Sequence, residues 1–480
     1  MAIVYRSDRP GDSENDLTPA EIDGNFRDLD TRVNEIKTKA IAEGALSSGD
    51  VVVLRSDGTI NIATNRAEGI GAETAVVSSV RFTSTIYYPP TNKIIVVYSD
   101  YSSYIATAIV GTVSGATISF GDPIAFGTDQ SNSNKGLAYD IDNDKIIILY
   151  RDGYSFGRVI TGTVSGTTII FDASVLIASN EIGNLSAAYD PDAGNTIIVY
   201  EESNTAFARI CTVGESSLSV SGATSLGLTF LYGLNIRYHS FSQFILTYEY
   251  QTSAHVAVVT VDGTNVVLNT PTEFSDVGIG AFNTIYDKIN SKLVITYDNY
   301  AVLGTVTGVD ITLGTPITYY ASTVYNMQLA QDLSDGKIVI MYQLSDNTVS
   351  VVAGTISGDS ISFAPPTVVS SVISSNIDIC YFPTDKFLLF YTLSNNCKVV
   401  LYQFELRDAD NWIGIAAADY AIGEEASFYA IGAIADNQVG LIANKTYYLT
   451  DDGLLTTVDN GRKVGRALSE TSLLITNSGV

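Results

Sequence analysis

Short apolar runs separated by polar turns fill the middle of the chain, and one of these runs recurs. It reads KIIVVY, KIIILY, NTIIVY, QFILTY, KLVITY, KIVIMY and KFLLFY, ending at Tyr98, Tyr150, Tyr200, Tyr248, Tyr297, Tyr342 and Tyr391. The intervals are 52, 50, 48, 49, 45 and 49 residues. A Gly-rich turn keeps the same period: GTVSG at 111 and 162, TVGE at 212, TVDG at 260, GTVTG at 304 and GTISG at 354. Two independent markers with one period identify a repeat array. Each unit divides into four strands. A short strand (GLAYD, SAAYD) leads through a turn of Asp, Pro, Asn and Lys (DIDNDK, DPDAGN, DKINSK, DLSDGK) into the tyrosine strand. A third strand then runs into the Gly-rich turn, and a fourth alternates, as in TISFGDPIAF. Four strands in each of seven units predict a seven-bladed β-propeller.

The last unit stops after KVVLYQFEL, before any fourth strand, while an unpaired strand, ETAVVSSVRF at 73–82, precedes the first unit. Pairing the segment near Thr74–Ser79 with the strand near Lys398–Glu405 would close the ring and remove its open edge. The propeller is therefore expected over 73–407.

Residues 17–36 place Ile22, Phe26, Leu29, Val33 and Ile36 at spacings of 4, 3, 4 and 3, a two-heptad seam. The sequence predicts a short N-terminal coiled-coil helix within an arm of residues 1–40. Its apolar seam must be buried, either on the protein's own β-domain or in a homotrimer. Residues 41–72 and 408–480 are strand-rich and lack the 49-residue markers, and neither is comfortable alone, the first offering only two strands, too few to cover a hydrophobic face. The expected organisation is one small discontinuous β-domain with the propeller inserted in it. The overall fold class is all-β.

These flanks carry a resemblance. LTPAEIDGNFRDLDTRV is similar to the opening of many tailed-bacteriophage tail-fibre and tail-associated proteins, in which such a segment precedes a short coiled coil. GDVVVLRSDGTI, NWIGIAAADYAIGE and LTDDGLLTTVDNGRKVGRALSETSLLI resemble a small β-module common there. The resemblance covers about 120 residues. Family members often run straight from one half of the module to the other, so it implies nothing about the propeller. What it implies for the chain is a trimeric virion component, assembled in the host cytoplasm, that takes part in host attachment without a cofactor and meets other tail proteins through its N-terminal region.

Charge and chemistry narrow the picture. With 52 Asp and Glu against 26 Lys and Arg, a net charge of −26 repels phosphate backbones and anionic lipid, so nucleic acid and membrane insertion are not expected. No apolar run reaches the length of a membrane helix, and the N-terminus lacks the order of a signal peptide. Only His239 and His255 are present, too few for a multi-histidine zinc site, and either is better read as a strand residue than as part of a triad. Cys211, Cys380 and Cys397 lie in apolar strands and read as free buried thiols. Asp140, Asp142 and Asp144 have the spacing that opens a calcium loop, but the glycine and distal glutamate of that motif are missing, so no metal is expected. Asp152, Glu201, Glu202, Glu249 and Asp298 fall in loops, yet no motif marks a carboxylate pair of the kind a glycan hydrolase needs.

In an up-and-down blade, the turns joining strands one to two and three to four share one face, and these turns repeat in sequence. The loops on the other face do not. They read SDYSSY, RDGYSF, EESNTAF, EYQTSA, DNYA, QLSDNT and TLSNNC, rich in the Tyr, Ser and Asn that combine rigid contact area with adaptable hydrogen bonding. Tyr101, Tyr104, Tyr154, Phe156, Tyr250 and Tyr300 are the candidate ligand-binding residues. The expected function is host attachment of a virion, to a cell-surface glycan or protein, through this face and without catalysis. A purely structural tail or baseplate component and a glycan-cleaving enzyme are the alternatives.

Overall fold

A computed structural model describes residues 37–476, apart from 43, 55–59, 64, 67–68, 115–116, 129–135, 215–216, 334–335, 372–373, 384–385, 405, 408–411 and 451–452. The seam Ile22, Phe26, Leu29, Val33 and Ile36 lies outside the described residues. Among those described, the regular elements are strands, with one 3-10 turn at Pro89–Thr91. Two compact units emerge, Met1–Glu68 with Phe404–Val480, and Gly69–Gln403.

The larger unit is a β-propeller built from sheets of one plan. In the second of them, Gly136–Asp140, Lys145–Arg151, Gly157–Ser165 and Thr168–Phe171 pair antiparallel in chain order. Val175–Ala178 then returns to Gly157–Val159 at the other half of the third strand. The fourth strand expected from sequence is thus a broken strand whose two pieces share one partner. The same arrangement recurs in the sheets spanning 80–128, 182–229, 231–275, 282–318 and 326–370. Several of the breaks hold a proline, at Pro123, Pro271, Pro316 and Pro365. Proline cannot donate to a ladder, so it is tolerated on this outermost strand and interrupts it.

The tyrosine strands are apolar along most of their length because neighbouring sheets cover both of their faces. Ile94–Tyr98, Ile146–Tyr150 and Ile197–Tyr200 are all buried, and so are all seven strand-ending tyrosines. The glycine of the GTV marker answers a packing need. Gly111, Gly162 and Gly354 sit opposite Phe120, Phe171 and Phe363, and a Cβ on Gly354 would lie 2.8 Å from the Phe363 ring. Where the third strand carries Cys211 or Val259 instead, the partner shrinks to Val220 or Leu268. Small faces large across the pair.

Thr74–Val77 pairs with Cys397–Val399, and Gly69–Ile70 with Tyr402 and Gln403, so the residues expected to complete the last sheet do so. Glu73 clips this strand in place: its carboxylate accepts from Tyr391 Oη at 2.6 Å and pairs with Lys398 Nζ at 3.0 Å. Each first strand touches the first strand of the next sheet, and the last, Ser374–Phe382, touches Val80–Tyr88.

The smaller unit interleaves both ends of the chain. Its first sheet runs Lys37–Ile41, Glu425–Tyr429, Trp412–Ala416, Val51–Leu54, Ile60–Ile62, so two C-terminal strands lie between N-terminal ones. A second sheet comes from residues 434–475 alone. Trp412, the single tryptophan, is buried with Val51, Val53, Tyr429, Leu473 and Ile475 in a core fed by both sheets.

Candidate functional site

Antiparallel order sends the turns of each sheet to two ends of the propeller. At one end lie the turns after the first and third strands. Here Asp140 Oδ1 accepts the backbone N–H of Asp142 and Asn143, Asp190 that of Asp192 and Ala193, and Asp287 that of Ile289 and Asn290. Tyr189 Oη donates to Asp142 at 2.6 Å and Tyr88 Oη to Asp144 at 2.6 Å. The Asp140, Asp142 and Asp144 carboxylates are therefore engaged in turns and blade-to-blade contacts. No group of three metal-ligating side chains occurs among the described residues. The Gly-rich turns are two-residue hairpins with Gly166, Gly263, Gly308 and Gly358 at φ of +59° to +64°, a backbone that favours glycine.

At the opposite end the loops are built from side chains. Asp100 Oδ1 accepts from the backbone and hydroxyls of Ser102 and Ser103, all within 3.0 Å. Burial works against its charge, but these bonds prevail and hold the carboxyl at about 2. Tyr101 and Tyr104 flank one guanidinium, with Arg81 Cζ 4.1 and 5.0 Å from their ring centres. Tyr104 holds φ of 56°, strained for an aromatic residue. In the next loop the buried Asp152 accepts from Tyr154 N, Phe156 N and Arg158 Nε, which keeps it ionised below the usual range despite burial. Backbone bonds tie these loops to the sheet-to-sheet connections: Tyr101 N to Ser79 O, Ile182 N to Ser155 O, Phe230 N to Asn204 O and Tyr325 N to Gln343 O. The loops form a fixed platform.

Of the six candidate residues, Tyr101, Tyr104, Tyr154 and Tyr300 are exposed, Tyr154 to 80 %. Phe156 and Tyr250 are half-buried: Phe156 lies beside the Tyr154 ring and Tyr250 packs on the core between its own sheet and the sheet before it. Phe230, Tyr232 and Tyr325 are exposed at the same end and escaped the sequence reading because they lie in or beside the connections between sheets. Among the described residues, exposed aromatics at this end number seven; the other end has Phe241.

A second feature was missed altogether. One register position on each first strand faces the residue before the strand-ending tyrosine. It holds Ser84, Gly136, Ser186, Asn235, Asn283, Gln328 and Asp378. All seven line one cavity of about 610 Å³. Bonds run between neighbouring sheets along this course: Ile236 N to Ser186 Oγ at 3.2 Å, Asn235 Nδ2 to Asn283 Oδ1 at 3.2 Å, Asn283 Nδ2 to Gln328 Oε1 at 2.9 Å, and Thr85 Oγ1 to Asp378 Oδ2 at 2.8 Å. Arg237 donates to Thr284 O, Ile236 O and Asn283 Oδ1. Burial raises the Asp378 carboxyl to about 6 against its hydrogen bonds and Arg237. The cavity reaches Ile279, Gly280, Tyr232 and Glu249 but not the turn aspartates Asp140, Asp190 and Asp287. It occupies the half of the propeller nearer the non-repeating loops. The signal in sequence is a polar residue three places before the Tyr of the first strand, as in SAAYD and NTIYD, visible only after the units are aligned.

No family model matches the chain, and no curated protein does. Similarity to solved structures is one of shape. The β-propeller domain of Cps50 (Swd1) from Myceliophteria thermophila is 6 % identical with a TM-score of 0.51, covering 70 % of this chain and 99 % of that one. The Dos1 propeller is 11 % identical with a TM-score of 0.46, covering 70 % and 95 %. A protein from Lactobacillus plantarum is 12 % identical with a TM-score of 0.46, covering 70 % and 98 %. The first of these supports the propeller fold and nothing about function. Cys211, Cys380 and Cys397 are free and buried, and no described helix is long and apolar enough to cross a membrane.

Proposed function

We propose that the protein is a tailed-phage tail-fibre or receptor-binding component whose propeller presents its non-repeating end to a glycan of the host cell surface. In this reading the ring has seven blades closed by Thr74–Val77, the N-terminal seam from Ile22 to Ile36 assembles a homotrimer, and the N-terminal region joins other tail proteins in the virion. Binding needs no catalytic step and no cofactor.

The observation that carries the reading is the partition of aromatic side chains among the described residues: seven exposed at the end whose loops vary and one at the end whose turns repeat. Folding explains turns that recur around a ring; it does not explain why exposed Tyr and Phe gather where nothing recurs. The loops are also held by backbone bonds before any ligand arrives, which lowers the ordering cost of binding. Weak sites would be multiplied by three copies per fibre and several fibres per particle.

The test is adsorption of purified protein to a panel of bacterial cells and their extracted envelope polysaccharides. Wild type should bind at least one member of the panel, and replacing Tyr101, Tyr104, Tyr154 and Tyr250 together by Ala should weaken that binding at least about tenfold. Equal binding by the quadruple variant, or no binding by wild type to any member, would reject the reading.

A further inference from the structure

We infer that the cavity behind the non-repeating loops is a binding site for a neutral, polyhydroxylated ligand, a single sugar residue or the end of a neutral glycan. The inference rests on the receptor-binding reading and names the chemistry of its recognition.

The cavity's 610 Å³ falls within the roughly 300–1,000 Å³ of small-molecule sites. The register position shared by the first strands lines it, Gly136 apart, with hydroxyl, amide and carboxyl groups where a structural channel would serve equally well with Ala or Val. Each Asn or Gln amide offers a donor and an acceptor, and a sugar offers pairs of adjacent hydroxyls that both donate and accept. The wall also has unfilled capacity. Thr83 Oγ1 and Asn235 Oδ1 are inaccessible to solvent and have no hydrogen-bond partner in the protein, and Thr83 is 2 % exposed as a whole. A buried polar atom left unpaired is destabilising, and hydroxyls entering the cavity would satisfy both.

Charge selects against an anion. Glu249 and Asp378 line the cavity, while its guanidinium, Arg237, is already bonded to two carbonyls and Asn283. The chain as a whole carries −26. Tyr232 lines the cavity and is 72 % exposed, which sets an aromatic plane where the apolar face of a sugar ring would rest.

The experiment is saturation-transfer NMR on the full-length protein with glucose, galactose, mannose and N-acetylglucosamine in turn, and with sialic acid as the anionic arm. Transfer to at least one neutral sugar and none to sialic acid is expected. Thr83→Val and Asn235→Leu should each weaken that sugar about tenfold while the thermal unfolding midpoint shows the fold retained. Thr83→Val is close in shape, so it remains informative even if Asn235→Leu fails to fold. No transfer to any neutral sugar, preference for sialic acid, or unchanged affinity in Thr83→Val would overturn the inference. If the tyrosine variant loses adsorption to cells while Thr83→Val and wild type behave alike, the cavity is wrong and the receptor reading stands. If wild-type protein takes a neutral sugar but adsorbs to no cell or polysaccharide, the receptor reading fails by itself.

Discussion

The two ends of the propeller are made by the same seven repeats and solve different problems. At the repeating end, glycines at positive φ after the third strands, residues such as Asn92, Asp144, Ser242 and Ser291 at positive φ after the first strands, and buried aspartates whose carboxylates cap backbone N–H groups form turns that any blade of this type needs. At the other end the turns after the tyrosine strands reach left-handed backbone with Tyr104, Ser155, Asn204, Gln251, Asp298, Asn347 and Asn395, and none with glycine. Glycine would relieve that backbone, so keeping side chains there, above all at Tyr104, carries a cost in stability. The difference teaches where selection acts on folding and where it acts on a surface.

Perturbing the repeating framework should cost stability and spare binding. The largest effect is expected for Gly354→Leu, whose Cβ would lie 2.8 Å from Phe363 and 2.9 Å from Ile338. Such overpacking costs about 1–3 kcal/mol or more, read from the denaturant midpoint. A loss under about 0.5 kcal/mol would mean that the small-to-large pairing is not a constraint.

Asp378 separates the cavity from both ends. Its folded carboxyl is raised to about 6 from 3.8, so the folded state binds the extra proton between those values. The cost of its charge is fully present above pH 6 and is relieved as pH falls toward 4. Arg237 and the buried thiols of Cys380 and Cys397 sense the same carboxyl, but the thiols are raised by burial and stay neutral across this window. Asp378→Asn should therefore be more stable than wild type at pH 7, by on the order of 2 kcal/mol, and this advantage should shrink by pH 4. An advantage that grows on acidification would contradict the assignment. Comparison with the variant is needed because Glu73, Asp100 and Asp152, whose pKa values are lowered, withdraw stability of their own as pH falls through and below the ordinary carboxylate range, where the Asp378 window ends.

Gly308→Ala and Gly358→Ala meet open space, so only the backbone resists them. Each should cost about 1–2 kcal/mol with receptor binding unchanged. Tyr154→Ala should do the reverse. At 80 % exposure it removes little packing, so stability should stay within about 0.5 kcal/mol while adsorption falls. Loss of stability without loss of adsorption would return Tyr154 to the framework.

Much of this arrangement was legible in the chain because repetition does the work of an alignment. Seven tyrosines at one spacing mark the buried second strands, and the missing last strand together with the orphan at 73–82 points to the pairing of Thr74–Val77 with Cys397–Val399. The broken outer strand was not foreseen, although Pro123, Pro271, Pro316 and Pro365 announce the break once its register is known. The polar course was hidden for a different reason. Its seven residues keep the period of the repeat but differ in type, Ser, Gly, Asn, Gln and Asp, so no recurring residue marks the position. Phe230, Tyr232 and Tyr325 were overlooked because the connections between sheets vary in length, and a loop without a marker offers nothing to align. Partial burial of Tyr250 follows from packing on the core between its own sheet and the sheet before it, a tertiary fact with no local signature.

The central claim, that the non-repeating end is the receptor surface, is tested most directly by hydroxyl-radical footprinting of the protein free and bound to a polysaccharide or cell envelope that it adsorbs to. The account predicts protection at Tyr101, Tyr154, Phe230, Tyr232 and Tyr325, with Phe241, Ile141 and Ile289 at the opposite end labelled equally in both states. Protection of Phe241 and Ile289 with Tyr154 and Tyr232 unchanged would contradict it.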